Sequence, residues 1–355
     1  TLVFADKTLS DLSEKPPKKL IEFGWDEPST SFIKEHISEM EKTPFDGTIF
    51  HVNYKRPDGS MGNFTWECWG NKAFTIDELK PAIDDLKNTK FSTFTDNFLR
   101  FNVSPGDVDW FDDFSAIINN AKLSSKFAKE TKIKGILFDI EQYTSQLFNY
   151  SKQRDCAIKS WEQYADQVRK RGREIMEAFQ SEYPDITIFL TFGYCLPWAE
   201  MGGKGNLSEV SYGLLAPLLD GMLDSALPNV KIVDGYELAY SYKDVSKFDV
   251  GYKMMSEDVL PIVHADHEKY RSIFSFGFGI WMDCNWREKG WHTDDFSKNF
   301  YTPEEFEKTV ATAIKTADDE YVWIYTETPK WWTDADKPDK LPQEYFDVLK
   351  RVMKK

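Results

Sequence analysis

Cysteine and histidine are scarce in this chain, which has four cysteines and five histidines among 355 residues. The cysteines lie far apart and form no C-x-x-C pair, which argues against a zinc ribbon and a disulfide-dense scaffold. No H-x-H motif lies on an early strand, and His264 and His267 fall in a helical pattern that favours a helix surface. The sequence therefore predicts no metal site and no cofactor.

Long apolar runs and blocks of one charge are also missing. No apolar stretch is long enough to span a bilayer, and no signal-like segment opens the chain. The 59 acidic and 44 basic residues give a net charge of −15, spread along the chain, which disfavours a nucleic-acid partner. We expect a monomer without a transmembrane segment, secreted, periplasmic or at the surface of a bacterial cell, with its leader already removed.

Strand and helix patterns alternate regularly along the chain. Eight short apolar, β-rich runs each precede a longer helical pattern, and the runs span 18–25, 46–54, 97–103, 133–141, 186–194, 230–240, 273–283 and 321–327. Ser29, Thr75 and Thr302 supply start signals for three of the helices. Eight such units predict an α/β fold, a single (β/α)8 TIM barrel. An open doubly wound sheet is the alternative, but no G-x-G-x-x-G follows any strand.

The chain divides into a short arm and one large domain. Residues 1–17, with Pro16 and Pro17, read as a lead-in arm, and 18–355 form the barrel domain that we expect to be catalytic. Segments that leave strands are longer than those that enter them, and the longest are 55–74, 142–157, 195–209 and 284–301. In a TIM barrel this places the bulk of the loops on the C-terminal face, where active sites lie.

The fourth strand run, "KGILFDIEQY", ends in two carboxylates. Side chains alternate along a strand, so Leu137, Asp139 and Glu141 share one face, and both acids point into the barrel mouth if Leu137 faces the interior. Two neighbouring carboxylates raise the pKa of one of them, as a general acid needs near neutral pH. Alternatively, this is a solvated strand end whose acids cap a helix or pair with a lysine.

Other strand ends and exit loops carry acidic and aromatic side chains. Glu237 on the sixth run and Glu327 on the eighth are candidates for a second catalytic carboxylate across the mouth. Aromatics make up 15% of the chain, and loop tryptophans beside carboxylates suit stacking on a sugar ring. Trp25 and Trp323 lie in strand runs and fit core packing equally well. The candidate substrate-binding residues are Asn53, Trp66, Trp69, Arg100, Trp198, Tyr240, Trp281, Asp283, Trp286, Tyr325 and Trp331.

Residues 134–141 resemble the signature of the chitinase and endo-β-N-acetylglucosaminidase family, D-G-h-D-h-D-h-E with h apolar. Gly135, Asp139 and Glu141 match, while Lys134 and Leu137 replace the first two aspartates. The resemblance implies that Glu141 is the general acid and that Asp139 orients a 2-acetamido group which attacks the anomeric carbon. It also implies a supporting role for Tyr240. The D-x-E lysozyme family of muramidases shares the same short motif.

The sequence predicts a glycoside hydrolase with Glu141 as acid/base and Asp139 as assisting carboxylate. The nucleophile is either the acetamido group of the substrate or a carboxylate, Glu237 or Glu327. A non-catalytic carbohydrate-binding protein is the main rival, and an arginine such as Arg100 tied to Glu141 would favour it. A lyase or isomerase is a third possibility, and it would call for a strand-end lysine or a metal cluster.

Overall fold

The computed structural model describes residues 18–318, 320–333 and 340–354. The lead-in arm predicted for 1–17 lies outside these residues. Within the described part of the chain, no helix combines the length and the apolar character that crossing a membrane requires.

Eight parallel strand positions form a closed barrel. The strands are Lys19–Gly24, Gly47–Phe50, Phe98–Asn102, Gly135–Asp139, Thr187–Leu190, Lys231–Asp234, Phe274–Phe276 continued by Phe278–Trp281, and Tyr321–Thr326. Each strand pairs in parallel with the next, and the eighth pairs with the first over six residues, from Lys19 opposite Tyr321 to Gly24 opposite Thr326. The predicted TIM barrel is confirmed.

The seventh strand closes the ring in two segments. Phe274–Phe276 pairs with the sixth strand, and Phe278–Trp281 pairs with the eighth. Gly277 stands at the break, where a Cβ atom would lie only 2.4 Å from the carbonyl oxygen of Tyr321. A residue with any side chain would push the two strands apart there, so glycine permits the switch of partner.

The barrel interior is filled by one apolar or aromatic side chain from most strands. Ile21, Phe23, Ile49, Phe98, Leu137, Phe189, Val233, Tyr321 and Trp323 form this inner cluster. Leu137 therefore faces the interior, as expected, and Asp139 follows it on the same face. A larger apolar layer lies between the barrel and the surrounding helices.

Helices surround the barrel, and the three predicted start signals act as caps. The side chains of Ser29, Thr75 and Thr302 each accept a hydrogen bond from a backbone N–H of the first helical turn. The α-helices are Thr30–Met40, Phe64–Glu67, Ile76–Lys87, Ser115–Thr131, Trp161–Ser181, Cys195–Glu200, Leu215–Ser225, Ser246–Lys253, His267–Ile273, Trp286–Lys289, Pro303–Thr316 and Gln343–Met353.

Shorter elements occupy several of the long exit segments. An antiparallel hairpin, Asn53–Lys55 with Met61–Asn63, follows the second strand. Single-turn helices lie at Tyr150–Lys152, Leu207–Glu209, Glu237–Ala239, Leu260–Ile262 and Phe296–Lys298, and a π-helical turn lies at Met254–Asp258. The elements that follow a strand lie on the C-terminal face, whereas Met254–Asp258 and Leu260–Ile262 follow the helix Ser246–Lys253.

Candidate active site

A cavity of about 420 Å³ opens at the C-terminal mouth of the barrel. Its size falls within the range of about 300–1,000 Å³ that is usual for small-ligand sites. The walls combine three glutamates, two arginines and a set of aromatic rings. They are formed by Phe23, Gly24, Trp25, Trp66, Arg100, Glu141, Tyr143, Glu237, Tyr240, Trp281, Arg287, Tyr325 and Glu327.

Glu141 and Glu237 meet in this cavity. Glu141 follows the fourth strand by two residues, and Glu237 opens the single turn Glu237–Ala239 after the sixth. The preceding residue, Tyr236, has φ +40°, and this left-handed conformation turns the chain sharply after the sixth strand. The two carboxyl groups then lie within hydrogen-bonding distance of each other.

The pKa values of this carboxyl pair are displaced upward. Burial, and after it the charges of Asp139 and Glu237, raise the pKa of Glu141 well above its usual value. Burial and the charge of Asp139 raise the pKa of Glu237 to about 8, although the hydrogen bond with Glu141 acts in the opposite direction. Two carboxyl groups in contact titrate as a pair, and the state with one shared proton has one neutral and one ionised carboxyl group.

Asp139 lies below this pair and is fully buried. Its Oδ2 accepts hydrogen bonds from Arg100 Nε at 2.8 Å, Arg100 Nη2 at 2.5 Å and Asn102 Nδ2 at 3.0 Å. Its Oδ1 accepts the backbone N–H of Glu141 at 3.1 Å. Asp139 therefore does not line the cavity. It fixes the backbone at Glu141 and raises the pKa of both glutamates above it.

Arg100 is the buried cation of the site. Besides Asp139, it donates through Nη1 to Glu27 at 2.7 Å, and its guanidinium lies over the rings of Trp66 and Phe23 at 4.9 and 5.0 Å. No hydrogen bond joins it to Glu141 among the described residues. The arginine pair with Glu141 that would favour a non-catalytic binding protein is therefore not found among the described residues. Glu141 faces the cavity.

Glu327 occupies a different environment on the opposite side. It accepts hydrogen bonds from Trp286 Nε1 at 2.5 Å and the Tyr325 hydroxyl at 3.1 Å, and it forms an ion pair with Arg287 at 2.6 Å. These partners come from the eighth strand and from the short helix Trp286–Lys289. The carboxylate is therefore held in one orientation.

Aromatic rings form the floor and rim of the cavity. Tyr240 and Tyr325 stack at 5.4 Å between ring centres, with Trp281 packed edge-on against both. On the rim, Trp66 and Trp25 are 37% and 56% exposed. Exposed indoles beside carboxylates offer flat apolar surfaces on which a sugar ring can stack.

Of the predicted substrate-binding residues, Trp66, Arg100, Tyr240, Trp281 and Tyr325 line the cavity. The others do not. Trp69 and Trp331 are fully buried, packed on Phe138 and Phe45, because their loops fold back onto the core. For these two, the predicted role as loop platforms is wrong.

Four further candidates have other contacts. Trp198 is partly buried against the core, and Trp286 supports Glu327 from behind. Asp283 is buried and accepts the backbone N–H groups of Glu327 and Thr328, and burial raises its pKa to about 6. Asn53 lines a neighbouring cavity.

Sequence reasoning missed five cavity residues: Phe23, Gly24, Trp25, Tyr143 and Arg287. Trp25 was expected to fill the core as readily as Trp323, but only Trp323 is buried. The position of Trp25, directly after the last paired residue of the first strand, could have indicated that its side chain lies at the barrel mouth. Tyr143, whose hydroxyl donates to Glu141, is part of the strand-end motif itself. Arg287 pairs with Glu327 across 40 residues of sequence, so no local pattern could reveal it.

A metal site is not formed by the described residues, in which no three His, Cys, Asp or Glu side chains are grouped suitably to hold an ion.

No protein-family model and no curated protein matches this sequence. Solved structures with a similar fold include a GH5-4 broad specificity endoglucanase from Bacteroides salanitronis, 11% identical, with a TM-score of 0.49 over 96% of this chain and 93% of that one. An endocellulase from Pyrococcus horikoshii in complex with cellotetraose is also 11% identical, with a TM-score of 0.48 over 96% and 92%.

The GH18 chitinase ChiB of Flavobacterium johnsoniae is similar as well, with 11% identity and a TM-score of 0.35 over 95% of this chain and 94% of that one. These neighbours are glycoside hydrolases on barrels. Identities and TM-scores this low carry no argument about the activity of this chain and do not single out the chitinase family.

Proposed function

We propose that this protein is a glycoside hydrolase in which Glu141 is the general acid/base and Glu237 is the nucleophile. The observation that carries the proposal is the contact between these two carboxyl groups inside an open cavity rimmed with exposed indoles. One neutral and one ionised carboxyl group, facing the same space, is the combination that glycosidic cleavage requires.

The reaction proceeds in two steps. Glu141 donates its proton to the glycosidic oxygen while the Glu237 carboxylate attacks the anomeric carbon, so the C–O bond to the leaving sugar breaks and a glycosyl ester forms. Glu141, now ionised, takes a proton from water, and the resulting hydroxide oxygen bonds to the anomeric carbon as the ester breaks. The glycan is released with one added water, and both glutamates regain their starting states.

The contact between the pair supports a retaining mechanism. Retaining glycosidases have carboxyl groups about 5 Å apart, whereas inverting ones need about 6.5–9.5 Å to admit a water molecule between carboxyl and sugar. Glu141 and Glu237 are close enough to hydrogen bond. A substrate ring entering between them needs only a small separation to reach the retaining geometry.

Glu327 suits the role of nucleophile less well. Its oxygens already accept two side-chain hydrogen bonds and an ion pair with Arg287, all of which lower the reactivity of a carboxylate. We assign it to the binding of substrate hydroxyl groups. Asp139 is likewise unsuited to hold an acetamido group, because it is fully buried beneath the cavity.

The test is hydrolysis of a panel of acetamido and plain oligosaccharides, followed by mass spectrometry, with anomeric configuration read by NMR. Glu141→Gln and Glu237→Gln should both abolish product, and the matched control Glu268→Gln, on the exposed surface of helix His267–Ile273, should retain it. Cleavage of acetamido sugars alone, unaffected by Glu237→Gln, would replace Glu237 by the acetamido group as nucleophile. Binding of glycans without cleavage by the unaltered protein would favour the binding-protein alternative and refute the proposal.

A further inference from the structure

A second cavity of about 350 Å³ opens on the same face of the barrel. Its walls come from the segments that follow the first, second and eighth strands, so it lies at the mouth but outside the barrel axis. It is also within the usual size range of small-ligand sites, about 300–1,000 Å³. The catalytic pair on the fourth and sixth strands does not line it.

The two cavities flank one short ridge of chain. Gly24 and Trp25 line the catalytic cavity, and the next two residues, Asp26 and Glu27, line the second one. Trp25 is 56% exposed at this ridge. An exposed indole lacks the stabilisation that burial of its apolar surface would give. Its ring provides a flat surface over which a chain of sugar rings could pass.

A buried ion pair joins the two cavities below the ridge. Arg100, which lines the first cavity, donates to Glu27 of the second at 2.7 Å, and His51 Nδ1 lies 3.4 Å from the other Glu27 oxygen. Burial alone would raise the pKa of Glu27, but Arg100 and His51 hold this pKa below its usual value. Glu27 thus stays ionised and fixes the walls of both cavities relative to each other.

The lining of the second cavity has two chemically different sides. Phe32 and Pro28 are apolar, whereas His51 and Asn53 are polar and partly accessible. Asn53 Nδ2 lies 3.2 Å from His51 Nε2, and the other ring nitrogen of His51 faces Glu27, so hydrogen bonding on both sides fixes the orientation of the imidazole ring. Apolar surface opposite fixed hydrogen-bonding groups matches a pyranose ring, which has apolar faces and an equatorial edge of hydroxyls.

We infer that the second cavity is a further sugar subsite and that the substrate is an oligosaccharide or polysaccharide whose chain crosses the ridge at Trp25. This inference rests on the proposed glycosidase function and extends it to the length of the substrate. Because Asp26 and Glu27 are offset by Lys330 and the other basic partners, a neutral ring is the expected occupant.

The test uses binding, so that cleavage does not interfere. Calorimetry would measure the affinity of the Glu141→Gln protein for cello-oligosaccharides and N-acetylchito-oligosaccharides of two to six rings. Asn53→Trp, added to that protein, fills the second cavity from a strand position that accepts aromatic residues. Lys55→Trp is the matched control, since it is exposed, lies two residues along the same strand and does not line the cavity.

In the series that binds, affinity should increase with length by roughly tenfold once a ring reaches the second cavity, the effect of one or two net hydrogen bonds. Asn53→Trp should remove this increase, and Lys55→Trp should keep it. Retention of the increase in Asn53→Trp, or its absence in the parent protein, would overturn the subsite while leaving the glycosidase proposal intact. If the unaltered protein cleaves nothing and neither series binds, the proposed function fails and the subsite with it.

Discussion

Two carboxylates, Glu237 and Glu327, follow the sixth and the eighth strand and face the catalytic cavity, and their partners differ. Glu237 meets another carboxyl group, that of Glu141, and its Oε2 has no hydrogen-bond partner among the described residues. Glu327 meets a guanidinium, an indole N–H and a phenol. The first environment raises the pKa of the carboxyl group, and the second fixes the orientation of the carboxylate. A carboxylate at a strand end is therefore a candidate for chemistry only after its partners are known.

Substitutions of the cavity carboxyl groups should have their largest effect on turnover. Glu141→Gln and Glu237→Gln should each lower kcat by about 10³-fold, in the range for loss of an acid/base group or nucleophile. Glu327→Gln should lower it by only about tenfold, because an amide keeps part of the hydrogen bonding. Steady-state kinetics on one cleaved glycan would measure all three. Equal losses in Glu237→Gln and Glu327→Gln would contradict the assignment.

The pH dependence of activity should show the shared proton. Because the pKa of Glu237 is raised to about 8 and that of Glu141 is also raised, the pair loses its proton only in alkaline solution. Activity should stay high up to a pH of about 8 and then fall by about tenfold for each further pH unit. A rate profile that declines already at pH 5 to 6 would be inconsistent with Glu141 as the acid.

Much of this arrangement could be predicted from the sequence, and the reason lies in local patterns. The eight strands, the interior position of Leu137 and the caps at Ser29, Thr75 and Thr302 follow from short-range periodicity and hydrogen bonding. Secretion and a monomeric state remain predictions.

The loops and their long-range contacts were harder to predict. Trp69 and Trp331 resemble surface platforms in sequence, yet tertiary packing buries them. The choice of Glu237 over Glu327 depends on Arg287, and that ion pair depends on how a loop closes over the mouth. Composition and spacing carry no information on such contacts.

The difference between Glu237 and Glu327 should also appear in the free energy of unfolding. A carboxyl group with a raised pKa in the folded state binds a proton that the unfolded chain has lost, so the pair destabilises the fold as pH rises from about 4.5 to about 8. Glu237→Gln should therefore raise the free energy of unfolding by roughly 1–3 kcal/mol at pH 9 and have little effect at pH 5.

Urea denaturation of the two proteins at both pH values would measure this difference. Glu327→Gln is the comparison, and it should not stabilise the protein at pH 9, because its carboxylate already has a cation. Stabilisation by Glu327→Gln equal to that by Glu237→Gln would remove the distinction between the two sites.

The smallest expected effect concerns Arg287. Its side chain is 54% exposed, so the ion pair with Glu327 contributes at most about 1 kcal/mol. Arg287→Lys should raise KM by up to about fivefold and leave kcat nearly unchanged, since the charge persists but the forked geometry is lost. A large fall in kcat would instead place Arg287 and Glu327 in the chemical step.

The most direct test of the shared proton is a carbon-13 NMR titration of protein labelled at the glutamate side-chain carboxyl carbons, from pH 4 to pH 10. The shared proton predicts one carboxyl titration near pH 8, which should be lost in both Glu141→Gln and Glu237→Gln but kept in Glu327→Gln. If every glutamate carboxyl group instead titrates below pH 6, the two glutamates do not share a proton and the assignment of acid and nucleophile is wrong.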